Sequence, residues 1–295
     1  MTTKTHTPVL NVLVVGATGS IGRLVVDEAL RRGHVVRALV RDASRARALA
    51  SAAQRIEGDL TRVDTLLPAV EGVDAIVFTH GANGGGRNGV EQVDYGAVRN
   101  ILQALGGRSV RVALMTSIGA TNRDGAYNRS TQAHDWKRRG ERLVRASGMP
   151  YTVVRPGWFD YNAADQHRLV FLQGDKRQAG DPSDGVVARQ QIAQVLVHSL
   201  TSDAARNKTL ELVAERGAAQ SDLDSLFGAL LVDQPEALDG ILDEPNMPLV
   251  SEPARVKEDY ERLLATSTPI HGAIPDWIEH VSDEQYRADF TGQAN

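Results

Sequence analysis

The sequence contains no cysteine, few aromatic residues and no long apolar run. The absence of cysteine excludes disulfides, thiolate catalysis and cysteine-ligated metal. No two of the eight histidines are spaced i, i+4, so we expect no metal site. Because no apolar run approaches the ~20 residues of a membrane span, we expect no membrane partner. The polar first eight residues do not resemble the start of a signal peptide, so the sequence predicts a cytoplasmic protein.

Charge is distributed unevenly along the 295 residues. Residues 221–295 carry 16 acids and 4 bases, a net charge of −12, whereas the remainder carries +8. A basic body suits a polyanionic ligand, but its bases form no aromatic-interleaved stripe and no DNA-binding motif. We therefore expect no nucleic acid partner. The acidic C-terminal region is interpreted as a solvated face or a lid.

Short β-branched runs alternate with helical stretches from residue 9 to residue 214. The pattern predicts strands at residues 10–15, 35–40, 55–57, 75–79, 111–116, 151–155 and 209–213. It predicts helices between them at residues 22–32, 45–53, 65–70, 91–105, 136–147 and 189–200. This alternation is typical of βαβ units and indicates an α/β fold with a Rossmann-type doubly wound parallel sheet.

The pattern changes beyond residue 218, where two helices are predicted at residues 221–231 and 252–265. We therefore divide the chain into a dinucleotide-binding domain, residues 1–218, and a small, mostly helical C-terminal appendage, residues 219–295. The appendage is expected to pack over the substrate end of the domain. Two irregular segments, residues 81–89 and 160–188, follow strands at the sheet edge where such folds bind ligands.

The segment GATGSIG has GxxGxxG spacing between the first strand and the first helix. Its first glycine permits a tight turn, its second lets the backbone approach a pyrophosphate, and its third lets the helix lie close to the strand. Amide groups at the start of the helix then face the phosphates. This context predicts a dinucleotide-binding loop. Its binding residues are Gly16, Thr18, Gly19, Ser20, Ile21 and Gly22.

The residue after the second strand indicates which dinucleotide is bound. An NAD site usually places a carboxylate there for the ribose 2′-hydroxyl, whereas an arginine suits a 2′-phosphate. Here the strand ends at Val40 and Arg41 follows, with a guanidinium that can hold a phosphate through two donors. We expect NADP, with NAD possible because Asp42 could serve a 2′-hydroxyl. A solvated surface arginine is the alternative interpretation of Arg41.

Together these features resemble the atypical short-chain dehydrogenases/reductases, an NAD(P)-binding group that includes NmrA-like and biliverdin-reductase-B-like proteins. The resemblance covers residues 9–215. It depends on GATGSIG, Arg41, GDL at residues 58–60, THG at 79–81, TS at 116–117, Lys137 and VRPG at 154–157. The last 75 or so residues are not covered by it.

The resemblance implies roles for residues at the ends of successive strands. Asp59 and Leu60, after the third strand, would contact the adenine. Thr79, His80 and Gly81, after the fourth strand, would line the adenosine and ribose. All five would therefore belong to the cofactor site.

On the reactive side, the resemblance implies that Ser117 orients a substrate carbonyl. Lys137 would bond the hydroxyls of the nicotinamide ribose, and Pro156 and Gly157 would lie by the carboxamide. Ser117 and Lys137 are thus the candidate catalytic residues, with Lys137 also binding the cofactor. From the sequence alone, Ser117 could equally be a hydroxyl in the turn that ends the strand.

One departure from the family pattern concerns proton transfer. In the common YxxxK motif, the tyrosine donates a proton and the lysine lowers its pKa, but the residue four before Lys137 is Ala133. Losing a general acid slows ketone reduction by roughly 10²–10⁴-fold. Tyr127 and His134 are candidate replacements, although an ordinary polar role in the loop or helix is the simpler interpretation of both.

The expected function is that of an NADP(H)-dependent oxidoreductase that reduces a small carbonyl, quinone or similar acceptor. Its partner would be a small-molecule substrate, and the protein would be a monomer or homodimer. The alternative is a non-catalytic, NADP(H)-sensing regulatory protein of the NmrA-like kind, which the missing tyrosine favours. A nucleotide-sugar epimerase or dehydratase is a weaker third hypothesis because those enzymes generally retain YxxxK.

Overall fold

The computed structural model describes residues 8–82 and 86–266, and this part of the chain contains one ten-stranded sheet. Its strands are β1 (Asn11–Val15), β2 (Val35–Val40), β3 (Gln54–Glu57), β4 (Ala75–Phe78), β5 (Arg111–Met115), β6 (Tyr151–Pro156), β7 (Trp158–Phe159), β8 (Arg168–Leu172), β9 (Val186–Val187) and β10 (Lys208–Glu215). Seven of them lie parallel in the order β3-β2-β1-β4-β5-β6-β10. This order reverses beside β1, so the predicted doubly wound sheet is confirmed.

Helices cover both faces of this sheet. They are α1 (Ser20–Arg31), α2 (Leu67–Val70), α3 (Gly86–Val90), α4 (Gly96–Leu105), α5 (Ala126–Thr131), α6 (Ala133–Ala146), α7 (Arg189–Ser199), α8 (Asp224–Gly228) and α9 (Ala254–Thr266), and a π-helical turn, Glu91–Tyr95, precedes α4. Side chains alternate along β1, so Val12 and Val14 pack with α1 and α7, whereas Leu13 and Val15 pack with α2, α4 and α6. No described helix is long and apolar enough to cross a membrane.

The helix predicted at residues 45–53 is wrong. A single 3₁₀ turn, Ala43–Arg45, is followed by other turns. Ala46, Leu49 and Ala53 are buried at a spacing that imitates a helical face. Their segment keeps an irregular path because the Arg55 guanidinium donates hydrogen bonds to the carbonyls of Ala46 and Leu49, at 3.2 and 3.1 Å.

Three other sequence-based assignments also need correction. Segment 160–188 is not wholly irregular, since it contains β8, which pairs antiparallel to β10, and the short β9. Segment 81–89, expected to be a loop, contains the start of α3. The helix expected at residues 221–231 is limited to the five residues of α8. In each segment the structure depends on pairing or packing with residues distant in the sequence.

The acidic C-terminal region packs on a basic face of α6. Arg138 and Arg142 bind the carboxylate of Asp239 at 2.9 and 2.6 Å, and Arg139 binds Glu252 at 2.5 Å. The three arginines and Glu252 are buried. The expectation that the acidic region forms a solvated face is therefore wrong for Asp239 and Glu252. These ion pairs therefore neutralise part of the charge asymmetry of the sequence within the molecule.

A second buried charge network joins the sheet to the same C-terminal region. Arg155, on β6, is fully buried and binds both oxygens of Glu141, at 3.0 and 2.6 Å. It also binds both oxygens of Asp243, at 2.8 and 2.7 Å. Burial alone would raise the pKa of the Glu141 carboxyl, but the Arg155 guanidinium outweighs burial, and this pKa is lowered. Arg155 therefore stabilises two buried carboxylates at once.

We expect Arg155→Met to lower the free energy of unfolding by about 3–5 kcal/mol, because two buried carboxylates would lose their shared cation. Urea denaturation monitored by circular dichroism measures this loss. The control is Arg206→Met, whose ion pair with Asp203 is exposed and should contribute less than about 1 kcal/mol. Similar losses in the two variants would contradict this account of the buried network.

Candidate functional site

Two glycines shape the loop between β1 and α1. Gly16 has a φ of +88°, and a Cβ at this position would lie 2.7 Å from the backbone nitrogen of His80. A Cβ at Gly22 would overlap the carbonyl oxygen of Gly16. The hydroxyl of Thr79 donates to the carbonyl of Val15 at 3.1 Å, which ties the loop to the end of β4. The predicted roles of Gly16 and Gly22 in a tight turn and close packing thus have a geometric basis.

The loop presents the start of α1 at the carboxyl edge of the sheet. Gly19 caps the helix, and its carbonyl accepts a hydrogen bond from the amide of Arg23 at 3.1 Å. The amides of Ser20, Ile21 and Gly22 precede this bond, so they have no carbonyl one turn back within α1. Thr18, Gly19 and Ser20 are exposed, whereas the side chain of Ile21 is buried. The first turn of α1 contains no acid, so its positive end suits a phosphate.

Arg41 and Asp59 lie at the ends of neighbouring strands β2 and β3. Arg41 is exposed. Hydrogen bonds from Thr61 lower the pKa of Asp59, and the positive charge of Arg41 adds to this shift. Asp42 accepts hydrogen bonds from the backbone nitrogen and hydroxyl of Ser44, at 2.9 and 2.6 Å. Asp42 therefore caps the local turn, and Arg41 lies by the loop that contains Asp59.

Leu60 lies beside Asp59 and is partly buried against the core. Its carbonyl accepts a hydrogen bond from the side chain of Asn100 at 2.7 Å. This bond links the loop after β3 to α4. The structure thus brings the two residues expected near the adenine into one loop, next to Arg41.

Lys137 is fixed by a residue that the sequence analysis did not identify. Its ammonium group lies 2.7 Å from the carboxylate of Asp94, a buried residue of the π-helical turn. The same carboxylate accepts a hydrogen bond from the backbone nitrogen of Ala82 at 3.4 Å. A Cβ at Gly81 would lie 4.0 Å from the Lys137 nitrogen. Lys137, Asp94 and Gly81 therefore form one group at the end of β4.

Three buried polar atoms at this edge have no hydrogen-bond partner among the described residues. They are the hydroxyl oxygen of Ser117 and the Nδ1 atoms of His80 and His134. Burial lowers the pKa of His80 to about 4. The negative charge of Asp94 opposes this shift, and the positive charge of Lys137 adds to it. An unpartnered buried polar atom costs about 1–3 kcal/mol, so this cluster indicates a place where a ligand or water completes the hydrogen bonds.

An apolar wall follows the end of β6. The carbonyl of Pro156 accepts a hydrogen bond from the amide of Ile118, and a Cβ at Gly157 would overlap the carbonyl oxygen of Gly185. The next residue, Trp158, is partly exposed and contacts Tyr161 edge to face, with ring centroids 6.1 Å apart. Gly157 therefore allows close packing of β7 and β9 and brings two exposed aromatic rings to this edge.

A buried carboxylate anchors the loop that follows β5. Asp175 accepts hydrogen bonds from the backbone nitrogens of Gly119 and Thr121, both at 2.7 Å. Its own amide donates to Glu211 on β10 at 3.2 Å. Burial raises the pKa of Glu211 to about 8, so this carboxyl is mainly protonated near neutral pH. The loop that contains Ser117 is thus held by residues of the second half of the chain.

A family model described as NAD(P)H-binding matches residues 16–203, which is more than half of the chain. The protein is therefore an NAD(P)H-binding protein with a Rossmann-type fold. It belongs to this NAD(P)H-binding oxidoreductase family, and its resemblance to the atypical short-chain dehydrogenases/reductases is confirmed.

Several curated proteins are similar over most of the chain. An uncharacterised chloroplastic protein of Arabidopsis thaliana is 30% identical over 244 residues, which cover 74% of each chain. Sanguinarine reductase of Eschscholzia californica is 27% identical over 261 residues, covering 74% of this chain and 95% of that protein. Photosystem II assembly factor Ycf39 of Trieres chinensis is 27% identical over 220 residues, covering 74% of this chain and 68% of that protein.

Solved structures show the same fold. A Bacillus halodurans protein described as an NAD-dependent epimerase/dehydratase has a TM-score of 0.62 and 20% identity, covering 75% of this chain and 100% of that one. A Veillonella parvula short-chain dehydrogenase/reductase in complex with NADP has a TM-score of 0.52 and 17% identity. That match covers 69% of this chain and 94% of the other. Because the sequence identities are 20% or lower, these matches show only that the fold is shared.

The raised pKa of Glu211 predicts a pH-dependent contribution to stability. The folded protein keeps this proton up to about pH 8, whereas the unfolded chain releases it near the ordinary pKa of 4.5. The stability due to Glu211 is therefore fully present below pH 4.5 and is lost as the pH rises through 8. We expect Glu211→Gln to become more stable relative to wild type from pH 5 to 8, by at most about 1.4 kcal/mol per pH unit.

Urea denaturation of both proteins across this pH range tests the Glu211 prediction. The control is Glu215→Gln on the same strand, whose carboxylate pairs with Arg168 at an exposed position. Its stability difference from wild type should not vary with pH. A pH-independent difference for Glu211→Gln as well would show that Glu211 does not keep its proton in the folded protein.

Proposed function

We propose that this protein is an NADPH-dependent reductase of a small carbonyl, quinone or similar acceptor. The observation that carries the proposal is the position of Lys137, paired with buried Asp94 beside Gly81. Gly81 follows β4, and Ser117, whose hydroxyl has no partner among the described residues, follows the adjacent strand β5. The carboxyl ends of adjacent parallel strands lie at one sheet edge, where this fold places its ligands.

The dinucleotide, when bound, supplies the hydride. The amides at the start of α1 bind its pyrophosphate, and Arg41 binds its 2′-phosphate with a forked guanidinium. The Lys137 ammonium has three donors, one of which is directed to Asp94. Its remaining donors bind the hydroxyls of the nicotinamide ribose. Asp94 therefore positions Lys137 without using all of its hydrogen bonds.

The acceptor is a small molecule that lies between Ser117 and the aromatic pair Trp158 and Tyr161. The Ser117 hydroxyl, which has no partner in the described part of the chain, donates a hydrogen bond to the oxygen of the acceptor. The two rings cover an apolar acceptor and exclude water from the reacting edge. The protein works as a monomer or homodimer and needs no metal for this reaction.

A second candidate function is NADP(H) sensing without turnover. Ala133 favours it, because this residue occupies the position of the usual proton donor and its methyl group is buried. The relative Ycf39 is named as an assembly factor rather than an enzyme. In this alternative, the loop of residues 16–22 and Lys137 would bind the dinucleotide, and its redox state would be passed to a protein partner.

NADPH oxidation separates the two functions. Purified protein is mixed with NADPH and a panel of quinones and aldehydes while the absorbance of the reduced nicotinamide is recorded. We expect at least one acceptor to be reduced, and Lys137→Met to lower kcat/KM by about 10-fold or more, since cofactor orientation is lost. The control is Lys257→Met on α9, which should retain full activity. Tight NADPH binding with no consumption across the panel would support the sensor instead.

A charge reversal tests the choice of NADPH over NADH. We expect Arg41→Asp to weaken NADPH binding by roughly 10–100-fold, because a charge-assisted hydrogen bond contributes about 1.5–3 kcal/mol. NADH, which has no 2′-phosphate, should lose less than about threefold. Calorimetry with both dinucleotides measures the two affinities. The control is Arg62→Asp, at an exposed position near the loop that contains Asp59. Equal losses for NADPH and NADH would exclude Arg41 as the 2′-phosphate ligand.

A further inference from the structure

A reductase of the proposed kind must deliver a proton to the acceptor oxygen as the hydride reaches the acceptor carbon. Ala133, the first residue of α6, cannot supply it. A general acid must lie within hydrogen-bond reach of the reacting oxygen, directly or through one water. The donor must therefore be a titratable side chain near Ser117 and Lys137.

His134 lies in the first turn of α6, three residues before Lys137, so the two side chains share one face of the helix. Its ring packs on the loop after β5, with Cε1 3.6 Å from the position of a Cβ on Gly119, two residues beyond Ser117. The Nδ1 atom is buried and has no hydrogen-bond partner in the described part of the chain. His134 thus packs on the loop that contains Ser117, lies one helical turn from Lys137, and has a buried polar atom with no partner among the described residues.

The other titratable groups near this edge fit the role less well. Lys137 donates to Asp94, and Tyr127 is 59% exposed, with its ring against His134 at a centroid distance of 5.2 Å. His80 adjoins Lys137, and burial lowers its pKa to about 4, so it holds little proton near neutral pH. A serine hydroxyl such as that of Ser117 is a hydrogen-bond donor rather than a proton source.

We infer that His134 is a catalytic residue, the proton donor that replaces the tyrosine absent at position 133. This inference depends on the proposed reductase function. The carbonyl carbon of the acceptor receives the hydride of NADPH, and the electron pair of the C=O π bond moves to oxygen. The N–H bond at Nδ1 of the His134 imidazolium breaks as the new O–H bond forms. NADPH is oxidised, the carbonyl is reduced to an alcohol, and the imidazole regains its proton from solvent.

The surroundings of His134 set the pH range of this step. Burial lowers the pKa of His134 below its ordinary 6.5, and Lys137 acts in the same direction. The carboxylates of Asp175, from the β8–β9 connection, and Asp135, on α6, oppose this shift, as does a hydrogen bond with the backbone of Asn122. The ring of Tyr127, on α5, packs against the imidazole. The rate should therefore rise as the pH falls through a value below 6.5.

Two variants and a control test the role of His134 by turnover. With an aldehyde as acceptor, we expect His134→Gln to lower kcat by about 100-fold or more and to lose the rise in rate at acidic pH. Its NADPH Kd and melting temperature should stay close to wild type. Tyr127→Phe should lose less than threefold, and His198→Gln, on the remote helix α7, should match wild type. A large loss in Tyr127→Phe with normal turnover in His134→Gln would overturn the inference but leave the reductase function intact.

A second measurement does not need turnover. Histidine ring signals of ¹⁵N-labelled protein are titrated by NMR with and without NADP⁺, and the His134 signal is assigned by its loss in His134→Gln. We expect the positive nicotinamide to lower the pKa of His134, whereas addition of NADP⁺ should not move the ring signals of His198. Saturating NADP⁺ with no effect on His134 would overturn the inference. If wild-type protein reduces no acceptor, the proposed function fails together with this inference.

Discussion

The contact between Gly22 and the carbonyl of Gly16 determines where the positive end of α1 lies. A side chain at either position would push the helix away from the sheet, because the space is filled by backbone atoms. Next to this contact, the hydroxyl of Thr79, at the end of β4, donates a hydrogen bond to the carbonyl of Val15. His80 and Gly81 are the next residues in the sequence. The loop after β1, the start of α1 and the end of β4 therefore meet at one point. This contact positions both the predicted phosphate-binding amides of α1 and the residues after β4 that lie near Lys137.

The reactive end depends equally on how α6 is oriented. One face of this helix carries buried arginines that bind acids of the C-terminal region, such as Asp239 and Glu252. Another part of its surface carries His134 and Lys137 toward the loops after β5 and β4. Because the charged contacts are buried and have several hydrogen bonds each, they resist rotation of the helix. The C-terminal region thus contributes to the site by holding α6 in its orientation.

The sheet and the phosphate loop could be predicted from the sequence because their signals are local. Short β-branched runs, intervening helices and three spaced glycines each lie within a few residues of one another. Asp94, Asp175 and Glu211 could not be found in this way. Asp94 and Lys137 are 43 residues apart, and Asp175 meets Gly119 across 56 residues, so only the tertiary fold joins them. The false helix at residues 45–53 has a more local cause, since hydrogen bonds from Arg55, six and nine residues away, replace helical ones.

The unpartnered atoms at the sheet edge also bear on the choice between catalysis and sensing. A sensor needs only the dinucleotide contacts, which the amides of α1, Arg41 and Lys137 can provide. It has no need of the Ser117 hydroxyl, which is buried and has no partner among the described residues. In a reductase, this hydroxyl would donate a hydrogen bond to the acceptor oxygen. A buried hydroxyl that has no partner among the described residues, at the same sheet edge as Lys137, is therefore easier to explain in an enzyme, because the substrate would accept its hydrogen bond.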